Sequence, residues 1–175
     1  MAAAVLALTG CLPQLVISYD SASTATQRTT VVTPDGGDKY TFTSTAGVMD
    51  ALALPTNTGG NLRSLFWPDK APVVADSQTC ALWTSQSDGL VQQGAALRIR
   101  QSNTGRVRAI TVTKNIFLGA SWIFNFHTWD TARPGVFEPF GEPKKIPALV
   151  GTGAPAPLPW QFCARIVGQV IEFKV

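Results

Sequence analysis

The sequence predicts an all-β protein: an antiparallel β-sandwich of jelly-roll type, with long proline-rich loops and at most one short helix. Three observations carry that expectation. Short runs rich in Val, Ile, Thr, Phe and Trp alternate apolar and polar residues with a period of two, the pattern of half-buried strands. Clusters of Gly, Pro, Asn and Asp punctuate those runs at roughly the 8–12-residue spacing of a sandwich. Only Val48–Leu54, ended by Pro55, has the makings of a short helix. No internal repeat is present, which argues against a propeller or a solenoid.

In chain order, residues 1–28 read as an apolar export segment and a polar tether, and residues 29–175 as one sandwich domain. Leu15, Val16, Ile17 and Tyr19 have strand character inside the tether. Residues 29–45 predict a hairpin, because Thr/Val and Tyr/Phe runs flank the turn cluster Pro34-Asp35-Gly36-Gly37. Leu62–Trp67 is a short strand stopped by Pro68. Residues 78–100 form two strands around Ser87-Asp88-Gly89, the second sending Ala95, Leu97 and Ile99 inward and Arg98 and Arg100 outward. Asn103-Thr104-Gly105 turns the chain into Arg106–Asp130, the aromatic-rich centre, which reads as two adjacent strands broken near Gly119. There Trp122, Phe124 and Phe126 share one side, and Ile123, Asn125, His127 and Trp129 the other. Residues 131–160 are proline-rich loops with short strands near 135–140 and 146–150. Residues 161–175 close the chain with two strands bent at Gly168-Gln169, with Ile171, Phe173 and Val175 facing one way and Glu172 and Lys174 the other.

Charged residues are scarce at 14 %, and a net charge of +3 is spread without a basic run or a basic helix, so nucleic acid is excluded as a partner. No stretch reaches the ~18 apolar residues of a membrane-spanning helix. Among the three cysteines, Cys11 closes the tetrapeptide Leu8-Thr9-Gly10-Cys11 behind an apolar run. That tetrapeptide resembles the lipobox of bacterial lipoproteins, which implies export to the cell envelope and lipidation of Cys11 as the membrane anchor. A plain apolar N-terminal segment is the alternative, since no Lys or Arg precedes the run. The remaining pair, Cys80 and Cys163, reads as one disulfide in an exported chain. No Cys/His cluster, phosphate loop or dinucleotide fingerprint occurs, so neither metal nor cofactor is expected.

Four segments, GAALRIR, RAITVTKNI, WIFNFHTWD and CARIVGQVIEFKV, together resemble strands of the concanavalin A-like lectin/glucanase sandwiches, the group that includes laminin-G-like modules. The resemblance covers roughly residues 78–130 and 161–175. It implies a two-sheet jelly roll that binds or hydrolyses polysaccharide. The E-x-D-x-x-E carboxylate motif of the glucanases and the calcium loops of legume-type lectins are not in the chain.

The candidate site follows from alternation. Asn125, His127 and Trp129 share a strand face, with Asp130 next in line, and Arg98, Arg165 and Glu172 on neighbouring strands could join them. An aromatic ring among planar polar groups is the chemistry of a sugar site, where the ring stacks on the pyranose and the polar groups bond its hydroxyls. Burial on both sides, with His127 and Trp129 in a core, is the competing reading. Glycoside hydrolysis needs two carboxylates, and only Glu172 stands mid-strand. Residues 119–123 (GASWI) are not a nucleophile elbow. The expected function is therefore an exported, lipid-anchored envelope protein that binds carbohydrate or another envelope component without catalysis. The alternatives are an accessory subunit docking on a membrane-protein partner, and a polysaccharide hydrolase of the same fold.

Overall fold

The computed structural model describes residues 29–30, 40–45, 48–53, 65–67, 73–85, 93–114, 123–146 and 158–175. Among them every regular element is a strand. In chain order these are β1 (Thr29–Thr30), β2 (Tyr40–Thr45), β3 (Val48–Ala53), β4 (Leu65–Phe66), β5 (Ser77–Trp83) and β6 (Gly94–Gln101). They continue with β7 (Val107–Lys114), β8 (Ile123–Asp130), β9 (Phe137–Pro139), β10 (Lys144–Lys145), β11 (Trp160–Val167) and β12 (Val170–Lys174). A five-stranded sheet runs β10-β8-β7-β6, with β9 also on β8, and packs against a three-stranded sheet ordered β12-β11-β5. All pairings are antiparallel. The protein is an all-β sandwich.

The layer between the sheets is built by the predicted period of two. From the five-stranded sheet come Ala95, Leu97, Val112 and Phe124; from β11 come Trp160, Phe162, Ala164 and Ile166. Phe124 and Phe162 are fully buried and stack with ring centroids 5.1 Å apart. Phe173 of β12 closes over Phe124 at 4.8 Å. Interior strands of this kind are held chiefly by such contacts, since Phe-to-Ala truncations in cores cost about 3–5 kcal/mol each.

Two sequence expectations about local structure need correction. Val48–Leu54 is not helical, because Val48–Ala53 pairs with Tyr40–Thr45 as a strand. Thr45 faces Val48, so two residues connect β2 and β3, and that short closure outcompetes the Val48–Leu54 helical tendency. The hairpin expected around Pro34–Gly37 lies outside the described residues; of its flanks, Tyr40–Thr45 pairs with β3 and Thr29–Thr30 with β4. Ile99 does not join Ala95 and Leu97 on the inner face. A bulge lies between Leu97 and Arg100, with Arg98 in the left-handed region (φ 51°). The extra residue turns Ile99 to the opposite face, where it packs with Val107 and Trp129. The two strands expected within 78–100 are present as β5 and β6, and they lie in different sheets. The strand tendencies of Leu15–Tyr19, the Gly119 turn and residues 147–157 of the proline-rich stretch fall outside the described residues, as does Cys11.

The C-terminal pair is the expected hairpin. Val167 faces Val170 across Gly168-Gln169, and Gly168 has φ 56°, the first-position glycine that a two-residue turn of type II′ requires. From that closing pair, hydrogen-bonded and non-hydrogen-bonded partners alternate along the strands. The alternation makes Cys80 opposite Cys163 a non-hydrogen-bonded pair, the arrangement in which Cα atoms lie closest, and they are 4.1 Å apart. The Cys80–Cys163 disulfide forms there, as the sequence predicts, and ties β5 to β11 across 83 positions of chain.

Candidate functional site

The seven predicted site residues occupy four separate places. Asn125, His127 and Trp129 do share one face of β8, opposite Thr113, Thr111 and Ala109 of β7. That face points away from the three-stranded sheet, but a second apolar cluster covers part of it: Leu65, Val107, Ala109 and Trp129, flanked by Trp67, Ile99, Val136 and Phe137. Trp129 is 5 % exposed. It is a core residue and offers no ring for a sugar to stack upon. His127 is half-buried with its ring edge-on to Phe137 at 6.0 Å, and Asn125 is half-buried. Opposite His127 on β7, the hydroxyl of Thr111 is buried without a hydrogen-bond partner among the described residues.

Asp130 and Arg98 are structural. Arg106 donates from Nε to Asp130 Oδ1 (2.7 Å) and from Nη2 to Oδ2, and the Ala132 amide donates to Oδ1 at 3.1 Å. Those donors, the Arg106 side chain first, hold the Asp130 carboxyl well below the usual carboxylate range. An acid so firmly ionised is unsuited to proton donation. Arg98 leaves the β6 bulge towards the other sheet, donating to the carbonyls of Ala75 and Gly168 and lying 3.5 Å from Asp76, whose Oδ1 accepts the Gly168 amide. It fastens the start of β5 and the β11–β12 turn to the five-stranded sheet.

Arg165 and Glu172 lie on the far side of the molecule. Their inward neighbours Ala164, Ile166, Ile171 and Phe173 belong to the core layer, so alternation points both outward from the three-stranded sheet. They face one another across β11 and β12, and Arg165 donates from Nε to Glu172 Oε2 at 2.9 Å. The registers set Gln78 beside Arg165, Lys174 beside Cys163, and Leu82 beside Gln161. The result is an open face on which polar rows flank the disulfide. A cleft of about 370 Å³ lies on it, lined by Gln78, Gln161, Arg165, Glu172, Lys174 and Val175 among others. That volume lies within the range of small-ligand sites, ~300–1,000 Å³.

Gln78, Gln161 and Lys174 are absent from the sequence-based set. A signal for them existed: once Cys80 is placed opposite Cys163, counting outward by two in antiparallel register sets Gln78 beside Arg165. Chemically the cleft offers amide, guanidinium and ammonium donors with amide and carboxylate acceptors, enough to hold a polyhydroxylated or zwitterionic ligand. Its single carboxylate is engaged by Arg165. Among the described residues no group of three His, Cys, Asp or Glu side chains is placed to hold a metal ion. No family model, curated protein or solved structure matches the chain.

Proposed function

We propose that this chain is an exported, lipid-anchored envelope protein whose sandwich binds carbohydrate or another envelope component without catalysis. We place the binding surface on the outer face of the three-stranded sheet. The observation that carries this reading is the solvent-open cleft in which Gln78, Gln161, Arg165, Glu172 and Lys174 converge. Bidentate and planar side chains on rigid strands are the groups that read arrays of hydroxyls, and a strand platform positions them better than a loop. The disulfide beside the cleft supports an extracytoplasmic setting, where such bonds persist. Attachment through Cys11 rests on the lipobox resemblance.

The test is an array of peptidoglycan and cell-wall polysaccharide fragments probed with the full chain. Binding should be lost in Arg165→Ala and Gln161→Ala and kept in His127→Ala. Loss in His127→Ala alone would move the site to the other sheet, and no binding by the native chain would remove the carbohydrate reading. Exposed Leu82 and Val167, at 61 % and 48 % on the same outer face, favour a second reading in which a membrane-protein partner docks there. Stoichiometric co-purification of such a partner without glycan binding would establish it. Turnover of a polysaccharide abolished by Glu172→Gln would instead make the chain a hydrolase.

A further inference from the structure

Among the described residues, β12 is an outer strand of the three-stranded sheet and nothing pairs with its far edge. Val170 and Val175 are 61 % and 42 % exposed there. Unpaired edges of this kind template pairing with another strand unless they are blunted. Here the edge carries no proline, and its only charged side chains, Glu172 and Lys174, have opposite signs.

The hairpin fixes which backbone groups are free. Val170, Glu172 and Lys174 hydrogen-bond to β11, so the amides and carbonyls of Ile171, Phe173 and Val175 point away from the sheet. We infer that this edge joins β12 of a second copy of the chain in an antiparallel two-fold pair centred on Phe173, making one six-stranded sheet. In that register Phe173 exchanges both hydrogen bonds with its counterpart, and Ile171 does so with the opposing Val175. On the inner side, Ile171 meets Val175 and Phe173 meets Phe173, so apolar groups face apolar groups. On the outer side, Glu172 of each copy meets Lys174 of the other and sits between that ammonium and its own Arg165.

The register is selected rather than merely allowed. Slipping the two strands by two residues in either direction sets Glu172 against Glu172 or Lys174 against Lys174, and like charges directly opposite are destabilising. The contact is isologous, so it closes as a dimer and does not propagate into fibres. Exposed Phe140, packed on Phe126 at 6.0 Å, and Phe173, at 6.1 Å from Phe126, mark an apolar seam between the sheets near this edge, which the second copy would help to cover.

The inference is independent of any ligand, and its test contains none. Sedimentation velocity on the oxidised full chain, across the micromolar range, should show a monomer–dimer equilibrium. Glu172→Lys and Lys174→Glu each turn two attractive cross-strand pairs into two repulsive ones, so each alone should weaken the dimer about tenfold or more. Mixing the two variants matches every charge again and should restore dimers, now hetero-dimers, at the native strength. Both side chains are exposed, and unchanged thermal midpoints at low concentration would show that the variants fold. Val175→Pro, which removes a free-edge amide that β11 does not use, should weaken association as well. A native chain that is monomeric throughout, or dimers indifferent to both charge reversals, would overturn the inference, as would a mixture that fails to re-associate.

Discussion

Replacing both half-cystines, as Cys80→Ser with Cys163→Ser, tests how far this sandwich depends on a single covalent tie. Cys80 and Cys163 sit on the outer face of the three-stranded sheet, Cys80 exposed and Cys163 half-buried, so two serines leave no cavity in the core. The loss then comes from the unfolded chain, which gains the freedom that the bridge denies it. With 83 positions between the cysteines, the chain-entropy relation gives about 4.5 kcal/mol. Residual structure in the unfolded ensemble lowers the expected value to about 3–4.5 kcal/mol. That is a large share of the ~5–15 kcal/mol that stabilises a typical domain. At roughly 2–4 °C per kcal/mol for a chain of this length, the thermal midpoint should fall by about 6–18 °C. Urea titration followed by tryptophan fluorescence measures the free energy directly, because Trp83, Trp129 and Trp160 are packed within the fold. A loss below about 1 kcal/mol would refute the reasoning: it would mean that β5 and β11 remain close in the unfolded chain without the bond.

Two further substitutions probe different forces. At Gly94 an added Cβ would stand 2.2 Å from the Val112 carbonyl oxygen and 2.7 Å from the Thr113 Cα, so Gly94→Ala must push β6 off β7. A loss of about 1–3 kcal/mol in urea titration is expected, and a native midpoint would show that the strands are not so close. Asp130→Asn should lower the thermal midpoint at neutral pH. The native carboxyl has a depressed pKa, so its stabilisation is complete above the unfolded value near ~3.9 and fades as the pH falls towards the folded one. The gap between native and variant midpoints should therefore shrink from pH 6 down to pH 2, and a gap that widens on acidification would contradict the pairing with Arg106.

Much of this was legible in the sequence because period-two alternation and the spacing of turn residues are local signals. The inward Ala95 and Leu97, the shared side of Phe124 and Phe126 and the Gly168 hairpin follow from them, while the disulfide follows from the even pair of cysteines left once Cys11 is set aside. What failed was not local. Ile99 departs from the alternation, and nothing in Leu97-Arg98-Ile99-Arg100 announces that a non-glycine residue will enter the left-handed region and carry a bulge. Trp129 was correctly grouped with His127 and Asn125, yet alternation cannot tell a covered face from an open one. Leu65, distant in sequence, and Phe137 on β9 close over it. Arg165 and Glu172, which alternation alone allows to join the β8 face, lie on the other sheet, because the order of strands within each sheet decides which residues share a surface and that order is set by tertiary packing.

The position of a binding surface follows from an asymmetry between the sheets. Among the described residues, the five-stranded sheet has apolar clusters on both faces, so side chains leaving it in either direction contribute to a core. Among the same residues, the three-stranded sheet has a core on one face only. Its other face keeps polar, solvent-exposed side chains in rows across three strands, braced by the disulfide that joins two of them. Stability does not require Gln78, Gln161, Arg165 or Lys174 to be where they are, since exposed polar positions on a strand tolerate most substitutions within about 0.5 kcal/mol. A variant set truncating all four to Ala therefore separates the two roles. The fold should persist with a midpoint near the native one, while any ligand held by this face should be released. If truncation unfolds the chain, the face is part of the scaffold, and recognition must be sought beside His127 on the other sheet.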